Sequence, residues 1–300
     1  MTLRGRMARM GPAVAALIIL AGWLSPAAAK KDDGVIRDVV YVQRGGKPLH
    51  LDVHLPPGGA HHAPVVLVIH GGGFTGGWRV QMDPLCRAIA AEGMVVFNVQ
   101  YRLAPRAPLS AATEDVRCAL RWIAAHAQEY GGDPGRIGIT GESAGGYFSA
   151  MALFAPPERF CAEACEAGAE RLPPLKAAVL YYGLYDLPRA YHASRIATAA
   201  LRVSLGQTPQ QAPELYRELS PLTYLHPGLP PILIQTGTRD YFLGENQDLH
   251  DRLQALGEDV EIIVWDKAHH GFALYPTSWP PASAERTAEF FREKLGASGL

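Results

Sequence analysis

The sequence predicts an α/β fold in which a mostly parallel central sheet carries helices on both faces. Short runs of apolar, β-branched residues, such as 65–69 and 232–236, are typical of strands that are buried on both sides. These runs alternate with longer stretches of helical periodicity, and parallel strands need such helices as crossovers. The chain has 300 residues, of which 48% are hydrophobic, and this is enough to bury one large core.

The elements are expected in a regular order. Residues 34–43 and 48–55 are predicted to form an antiparallel hairpin at the edge of the sheet, joined at Gly45 and Gly46. The later strands are predicted at 65–69, 94–100, 137–140, 176–182, 232–236 and 260–264. The helices are predicted at 111–130, 144–154, 246–256 and 282–295, and Gly296 is placed to end the last of them.

Two long segments, 156–174 and 184–231, interrupt this alternation. Stretches of that length are uncommon inside a compact domain unless they serve a function. Both segments are therefore predicted to form caps over an active site. They belong to one catalytic domain that is expected to cover residues 30–300.

The first 29 residues are predicted to form a cleavable signal peptide. Three arginines precede an apolar run over 13–24, and alanines at 27–29 supply the small residues of a cleavage site after Ala29. The run of about 12 apolar residues is shorter than the ~20 that a membrane-spanning helix needs. The mature protein is expected to be periplasmic or secreted, with no stable membrane anchor.

The charge of the chain argues against a nucleic-acid partner. The predicted signal peptide contains three arginines and no acids, so its removal takes the formal charge from -1 to -4 (-1 minus 3). A nucleic-acid-binding protein would need a clustered basic face, which the sequence lacks. We also expect no cofactor and no metal, and the sequence does not predict the oligomeric state.

Four cysteines are compatible with an oxidising compartment. Cys161 and Cys165 lie in one polar segment, where a local disulfide and two free thiols are equally compatible with the sequence. Cys86 and Cys118 lie in predicted helices and are expected to be small buried hydrophobes. A zinc site is not expected, because no histidine follows the cysteine pair at a zinc-binding spacing.

A nucleophile motif follows the predicted strand at 137–140. The sequence Gly-Glu-Ser-Ala-Gly-Gly at 141–146 has the G-x-S-x-G pattern, in which small flanking residues allow a sharp strand-to-helix turn with Ser143 at its apex. Glycine and serine also build ordinary turns, so the motif alone is weak. A serine hydroxyl needs a base to activate it, and the base needs a carboxylate to orient it.

Asp240 and His270 are the predicted partners of Ser143. In a parallel sheet such partners come from loops at the carboxyl ends of strands, and both residues follow predicted strands. Asp186 occupies a similar place after an earlier strand and is the rival acid, while an Asx turn or helix cap is the non-catalytic alternative. His269 is the rival base, but the glycine after His270 would allow its ring a close approach to the serine. The order Ser, Asp, His is the one expected for this architecture.

A glycine-rich loop, His-Gly-Gly-Gly at 70–73, follows the predicted strand at 65–69. Its glycines leave backbone N–H groups unshielded, and it lacks the lysine and Ser/Thr of a phosphate-binding P-loop. With the serine motif downstream, we predict an oxyanion hole formed by the N–H groups of Gly72, Gly73 and Ala144. One such donor is worth about 3 kcal/mol in the transition state of acyl transfer.

Together these motifs resemble the bacterial hormone-sensitive-lipase-like and carboxylesterase branch of the α/β-hydrolase superfamily. The matching blocks are His-Gly-Gly-Gly at 70–73, Tyr-Arg-Leu-Ala-Pro at 101–105, Gly-Glu-Ser-Ala-Gly-Gly at 141–146 and His-Gly-Phe at 270–272. The resemblance implies the α/β-hydrolase fold and cofactor-free hydrolysis of small acyl esters through an acyl-enzyme. Glu142 stands where the hormone-sensitive-lipase branch commonly has aspartate, which points towards carboxylesterase-like members.

Other activities are compatible with the same residues. An amidase or formamidase, an acyl-peptide hydrolase or an acyltransferase would use the same machinery, and a non-catalytic ligand-binding protein is a further alternative. Such a binding protein usually lacks one member of the Ser-His-Asp set, and none is missing here. Phe74, Trp78 and Tyr147 are candidates for lining the substrate pocket, with core packing as the alternative for each.

Overall fold

The computed structural model describes residues 31–32, 34–160, 165, 171–274 and 282–297. The predicted signal peptide, 1–29, lies outside the described residues, and so do Cys161 and much of the first predicted cap. Within the described part of the chain, no helix is both long enough and apolar enough to span a membrane.

The described residues are organised around one nine-stranded sheet. Its strands are β1 (Lys31–Asp32), β2 (Val35–Arg44), β3 (Lys47–His54), β4 (Ala63–Ile69), β5 (Val95–Val99), β6 (Gly132–Glu142), β7 (Leu175–Tyr181), β8 (Ile232–Arg239) and β9 (Val260–His269). Their spatial order is β1-β2-β3-β5-β4-β6-β7-β8-β9. Strands β1, β2, β3 and β5 pair antiparallel, and all pairings from β5 to β9 are parallel. The predicted parallel sheet with antiparallel N-terminal edge strands is confirmed.

Helices cover both faces of this sheet. In the described residues they are α1 (Asp83–Ala91), α2 (Leu109–His126), α3 (Ala144–Phe154), α4 (Leu187–Tyr191), α5 (Arg195–Leu205), α6 (Pro213–Glu218), α7 (Leu243–Ala255) and α8 (Ala282–Leu295). Helices α3 and α8 begin and end where the sequence predicts. Helix α2 ends earlier than predicted, because the chain tightens into a 3₁₀ turn that Gly131 closes in the left-handed conformation.

Strands β6, β8 and β9 run further at their carboxyl ends than predicted, and the extra length decides where the site residues lie. Parallel pairing between β6 and β7 continues to Glu142 and Tyr181. Pairing between β8 and β9 continues to Arg239 and His269. As a result Ser143, Asp240 and His270 are each the first residue after a strand of the same parallel block.

The central strands divide the core into two layers. Strand β4 is buried along its whole length, and alternate side chains belong to different hydrophobic clusters. Val65 and Leu67 pack into the layer that contains α2 and α3, whereas Val66 and Val68 pack into the layer that contains α1 and α8. Each buried side chain of this kind contributes roughly 1.5–3 kcal/mol, so the strand ends rest on a rigid platform.

The structure changes the expected pairing of the cysteines. Cys165 forms a disulfide with Cys118 of α2, with the two Cα atoms 5.5 Å apart, and not with Cys161. Cys118 is buried, as expected, but the expectation that it is unpaired is wrong. Its partner lies 47 residues away in sequence, so only tertiary packing brings the two together. Cys86 is free and buried, as predicted.

Residues 184–231 form a helical segment on the carboxyl-end side of the sheet. Helices α4, α5 and α6 are followed by a 3₁₀ turn over Pro221–Tyr224. Asp186 begins α4 as its N-cap, and Ser194 begins α5 in the same way by accepting the Ala197 N–H at 3.0 Å. Helix α5 lies over the cavity described below.

Candidate active site

Ser143 sits on a strained turn between β6 and α3. Its backbone has φ 53° and ψ -113°, a positive φ that non-glycine residues rarely adopt. Such a conformation costs of order 1–3 kcal/mol and persists only where the surroundings enforce it. The enforcing contact is close packing, since a Cβ added to Gly145 would lie 2.1 Å from the carbonyl oxygen of Ile69 on β4. The glycine of the motif is therefore required by the approach of α3 to the sheet.

Ser143, His270 and Asp240 form a continuous chain of hydrogen-bonding atoms. The serine Oγ lies 2.9 Å from Nε2 of His270. Nδ1 of the same ring lies 3.0 and 3.1 Å from the two carboxylate oxygens of Asp240. The Asp240 side chain is fully buried, whereas the His270 ring is 15% exposed at the cavity. The structure thus brings together the three residues singled out from the sequence.

Two further hydrogen bonds hold Asp240 in place, one to its side chain and one from its backbone. Its Oδ1 accepts the Phe242 N–H at 2.7 Å, and its backbone N–H donates to the carbonyl oxygen of Gly237 at 3.1 Å. Strands β8 and β9 approach closely at this point, because a Cβ on Gly237 would lie 2.2 Å from the carbonyl oxygen of Ala268. This close approach places Asp240 beside the histidine loop.

The rival residues lie elsewhere. Asp186 accepts the Arg189 N–H at 3.3 Å and caps α4, which is the helix-capping role expected of an aspartate after a strand. His269 is the last residue of β9 and is exposed. Since successive residues of a strand point to opposite faces, the side chain at the end of β9 and the one after it are not interchangeable.

Three aromatic rings surround His270. The Tyr241 ring stacks on it with centroids 4.4 Å apart, and the rings of Tyr182 and Phe242 meet it edge-on at 4.9 and 5.2 Å. Burial raises the pKa of the Tyr182 and Tyr241 hydroxyls, so both stay neutral near pH 7. The rings restrict the rotation of the imidazole. These aromatic residues were not predicted from the sequence, where the only sign of them is their position just after the end of β7 or β8.

The glycine-rich loop follows β4 and lies beside Ser143. Gly72 has φ 120°, and a Cβ at this position would lie 2.2 Å from the carbonyl oxygen of Gly76, so the loop is folded tightly on itself. His70, the first residue of the loop, is held by Tyr101, whose hydroxyl donates to the His70 carbonyl oxygen at 2.8 Å. Gly72 and Gly73 line the cavity. Ala144 begins α3, where backbone N–H groups lack intrahelical partners.

Glu142 connects this loop to the serine turn. Its Oε1 accepts the Gly71 N–H at 2.8 Å, and its side chain lines the cavity next to Ser143. Burial raises the pKa of Glu142 to about 7, opposed by the charge of His270 and by the Gly71 hydrogen bond. Burial also lowers the pKa of His70 to about 4, so that ring is neutral near pH 7. Among the described residues, no group of three His, Cys, Asp or Glu side chains could hold a metal ion.

A cavity of about 760 Å³ opens in front of Ser143. Phe74, one of the predicted pocket residues, lines it, with its ring edge-on to Tyr147 at 5.1 Å. Tyr147 itself is buried in the core, where its hydroxyl donates to the Leu219 carbonyl oxygen at 2.9 Å. Trp78 is 71% exposed. Neither Tyr147 nor Trp78 lines this cavity, so two of the three predicted pocket residues lie elsewhere.

The chain matches known proteins along most of its length. The BD-FAE family model matches residues 51–253. Two curated relatives from Mycobacterium tuberculosis are Esterase LipQ, 30% identical over 84% of this chain and 62% of that protein, and Carboxylesterase NlhH, 32% identical over 78% and 74%. The chain spans about half to three fifths of the length of the first curated relatives it matches.

Solved structures also resemble it. Esterase 2 from Thermogutta terrifontis, phosphoramylated by tabun, superposes with a TM-score of 0.73 and 26% identity, covering 89% of this chain and 97% of that one. The same esterase with bound propionate superposes with a TM-score of 0.72 and 26% identity, over 88% and 95%. The predicted α/β-hydrolase fold is confirmed by this similarity.

Proposed function

This chain belongs to the BD-FAE family, and we propose that it is a carboxylic ester hydrolase in which Ser143 is the nucleophile. The observation that carries the proposal is the chain of contacts from Ser143 Oγ through His270 to Asp240, which opens into a cavity of about 760 Å³. Similarity to proteins named esterase and carboxylesterase supports the same reaction class.

The proposed reaction begins with proton transfer from Ser143 to Nε2 of His270, over the 2.9 Å contact. Asp240 holds the imidazole in the tautomer that leaves Nε2 free and stabilises the imidazolium that forms. The serine oxygen attacks the ester carbonyl, and its bond to the carbonyl carbon forms as the C=O electrons move onto the oxygen. The Gly72, Gly73 and Ala144 N–H groups then donate to this oxyanion.

The tetrahedral intermediate collapses to an acyl-enzyme. His270 returns its proton to the leaving alkoxide, which departs as the alcohol. A water molecule repeats the sequence: it loses a proton to His270, attacks the acyl carbonyl, and releases the acid while Ser143 recovers its proton. Every proton in this cycle passes through one nitrogen of one ring, so the aromatic contacts that orient His270 belong to the mechanism.

The experiment is hydrolysis of p-nitrophenyl butyrate by the mature chain and by three variants. Ser143→Ala and His270→Ala are expected to lower kcat/KM by about 10⁴-fold or more, with the His269→Ala variant close to the wild type. A fluorophosphonate probe is expected to label the wild type and not Ser143→Ala. Turnover by purified Ser143→Ala at the wild-type rate would disprove the proposal. An N-formyl arylamine tested in parallel distinguishes an amidase from an esterase.

We also propose that the protein acts outside the cytoplasm, with residues 1–29 removed as a signal peptide after Ala29. The disulfide between Cys118 and Cys165 supports this location, because such bonds persist in oxidising compartments. N-terminal sequencing of the protein secreted by its own cells is expected to begin at Lys30. A chain that retains Met1 would contradict it.

A further inference from the structure

Helix α5 forms one wall of the cavity in front of Ser143. Four of its apolar lining residues, Ile196, Ala199, Ala200 and Val203, fall on one face of the helix. Ile196 is 70% exposed and Val203 47%, which is high for such side chains. The middle of the helix lies against the glycine-rich loop, since a Cβ on Gly73 would be 3.3 Å from the Cβ of Ala200. An apolar strip therefore runs beside the reacting serine.

Arg195 is the one charged residue that α5 adds to this wall. It is the first residue of the helix and is exposed at the cavity. Within the described part of the chain, no carboxylate pairs with its guanidinium, although Arg102 and Arg136 have acidic partners at 2.7 and 2.8 Å. A cation in the first turn of a helix is also unfavourable because it faces the positive end of the helix dipole. Arg195 thus gains no ion pair from the described residues, and its charge is available to a bound molecule.

The rest of the lining does not neutralise this charge. The only carboxyl group among the lining residues is that of Glu142, which is 2% exposed and accepts the Gly71 N–H at 2.8 Å. Burial raises the pKa of Glu142 to about 7, and burial raises the pKa of Tyr241 as well. The outer part of the cavity therefore combines apolar walls with one positive charge.

The position of Arg195 sets the distance from the reacting carbonyl. Five residues of helix separate it from Ala200, which corresponds to a rise of about 7.5 Å. Ala200 contacts the glycine-rich loop that would hold the oxyanion. A group that reaches Arg195 must therefore lie several bonds from the scissile bond, beyond an apolar spacer.

We propose that the site takes esters that carry a carboxylate several bonds from the scissile carbonyl, and that Arg195 binds this carboxylate. The inference rests on the proposed esterase function. A guanidinium presents two parallel N–H donors that match the two oxygens of a carboxylate. Because Arg195 is exposed, water and salt weaken this pair, and the expected preference over a neutral ester is about five- to tenfold in kcat/KM.

The test compares matched esters in two arms. In the acyl arm, monomethyl adipate is compared with methyl hexanoate, and in the alcohol arm 4-acetoxybenzoate is compared with phenyl acetate. Initial rates are measured in a pH-stat for the wild type, Arg195→Gln, Arg195→Lys and Arg202→Gln. Arg202 lies on the same helix and is exposed, but it does not line the cavity, so it controls for the loss of one positive charge.

In at least one arm, the wild type is expected to have a higher kcat/KM for the ester that carries a carboxylate than for the matched neutral ester. Arg195→Gln should abolish this preference while the neutral ester stays within about twofold of the wild-type kcat/KM. Arg195→Lys should recover part of the preference, and Arg202→Gln should keep it. Rising NaCl should reduce the preference in every variant that keeps a cation at position 195, and should leave the rate ratio of Arg195→Gln unchanged.

Two results overturn the inference: no preference in either arm, or a preference that Arg195→Gln retains. If the wild type hydrolyses neither the carboxylate-bearing esters nor the neutral ones, the proposed esterase function itself is disproved.

Discussion

Asparagine in place of Asp240 is expected to lower kcat/KM for p-nitrophenyl butyrate by about 10⁴-fold. In the structure both carboxylate oxygens lie at 3.0–3.1 Å from Nδ1 of His270, and Oδ1 also accepts the Phe242 N–H at 2.7 Å. The substitution removes a charge and introduces a donor without changing the size of the side chain. Its effect on the hydrogen bonds can therefore be worked out atom by atom.

The Phe242 N–H decides how the asparagine side chain is oriented. The position is fully buried, so an amide nitrogen facing that N–H would leave two donors unsatisfied. The amide oxygen must take the N–H, and the NH₂ group then faces Nδ1 of His270. Nδ1 becomes the acceptor and the ring proton moves to Nε2, where it points at Ser143. A protonated Nε2 cannot take the serine proton, and a 10⁴-fold loss corresponds to about 5.5 kcal/mol.

Asp186→Asn is the matched control. Asp186 accepts a backbone N–H at the start of α4, and asparagine caps helices as well as aspartate does. We expect this variant to stay within about twofold of the wild type. Concentrations of folded enzyme are normalised by circular dichroism, and rates are measured between pH 6 and pH 9. A loss of kcat/KM of less than about tenfold for Asp240→Asn would refute the assignment of the acid, and so would a loss for Asp186→Asn that exceeds the loss for Asp240→Asn.

Three other perturbations test separate parts of the structure. In ester hydrolysis, Gly72→Ala should lower kcat by about 10²-fold or more, because the added Cβ would displace the oxyanion loop. Gly59→Ala is the control and should keep full activity, because Gly59 also has a positive φ but an added Cβ would have no atom within 4 Å. Burial raises the pKa of Glu245 to about 7 from 4.5, so the wild type loses stability as the pH rises from about 4.5 to about 7. The free energy of unfolding in urea is therefore measured for Glu245→Gln and the wild type. Between pH 5 and pH 8 the value for Glu245→Gln should rise by about 2 kcal/mol relative to that of the wild type. A difference between the two proteins that does not change with pH would contradict the pKa shift. Peptide mapping of the non-reduced protein by mass spectrometry should find the peptides that contain Cys118 and Cys165 joined, and a free Cys118 thiol would contradict the structure. Because the disulfide closes a loop of 47 residues, Cys118→Ser should lower the free energy of unfolding by about 4 kcal/mol.

The sequence predicted Ser143, Asp240 and His270 because each follows a strand of strong apolar character. Ends of parallel strands meet at one edge of a sheet, so the fold class alone places such residues near one another. In the structure β8, which leads to Asp240, pairs with β9, which leads to His270, whereas β7, which leads to Asp186, does not. The position of each strand was thus enough to locate these three residues without knowledge of any contact.

Contacts between distant side chains could not be predicted in this way. Tyr182 and Tyr241 contact His270 although nothing in their local sequence distinguishes them from core tyrosines. Tyr147 is one of the predicted pocket residues, yet its hydroxyl donates to the Leu219 carbonyl oxygen in the core. Cys118 was placed correctly in a helix, but its partner depends on how a long loop packs.

The segment 184–231 was predicted to cap the site, but its helices α4, α5 and α6 were not predicted. The length of this interruption indicated a cap, and no periodic pattern identified α5 as a cavity wall. Ile196 and Val203 would have been assigned to the core by their hydrophobicity, but they are exposed at the cavity. An apolar side chain that faces a binding site cannot be distinguished from a core residue by sequence pattern alone.

The order of the strands explains why the base needs an aromatic support. His270 follows β9 and Ser143 follows β6, and β7 and β8 lie between them, so three strand spacings, about 14 Å, separate the two strands. The histidine loop must turn back across the ends of β8 and β7 to bring Nε2 within 2.9 Å of the serine. The acid has to lie behind the ring, on the side away from Ser143, and the end of β8 provides that place for Asp240. The end of β7 lies beneath the crossing, and Tyr182 occupies it with its ring edge-on to the imidazole. The acid from β8 and the tyrosine from β7 are therefore both consequences of one requirement, a histidine that spans the distance from β9 to β6.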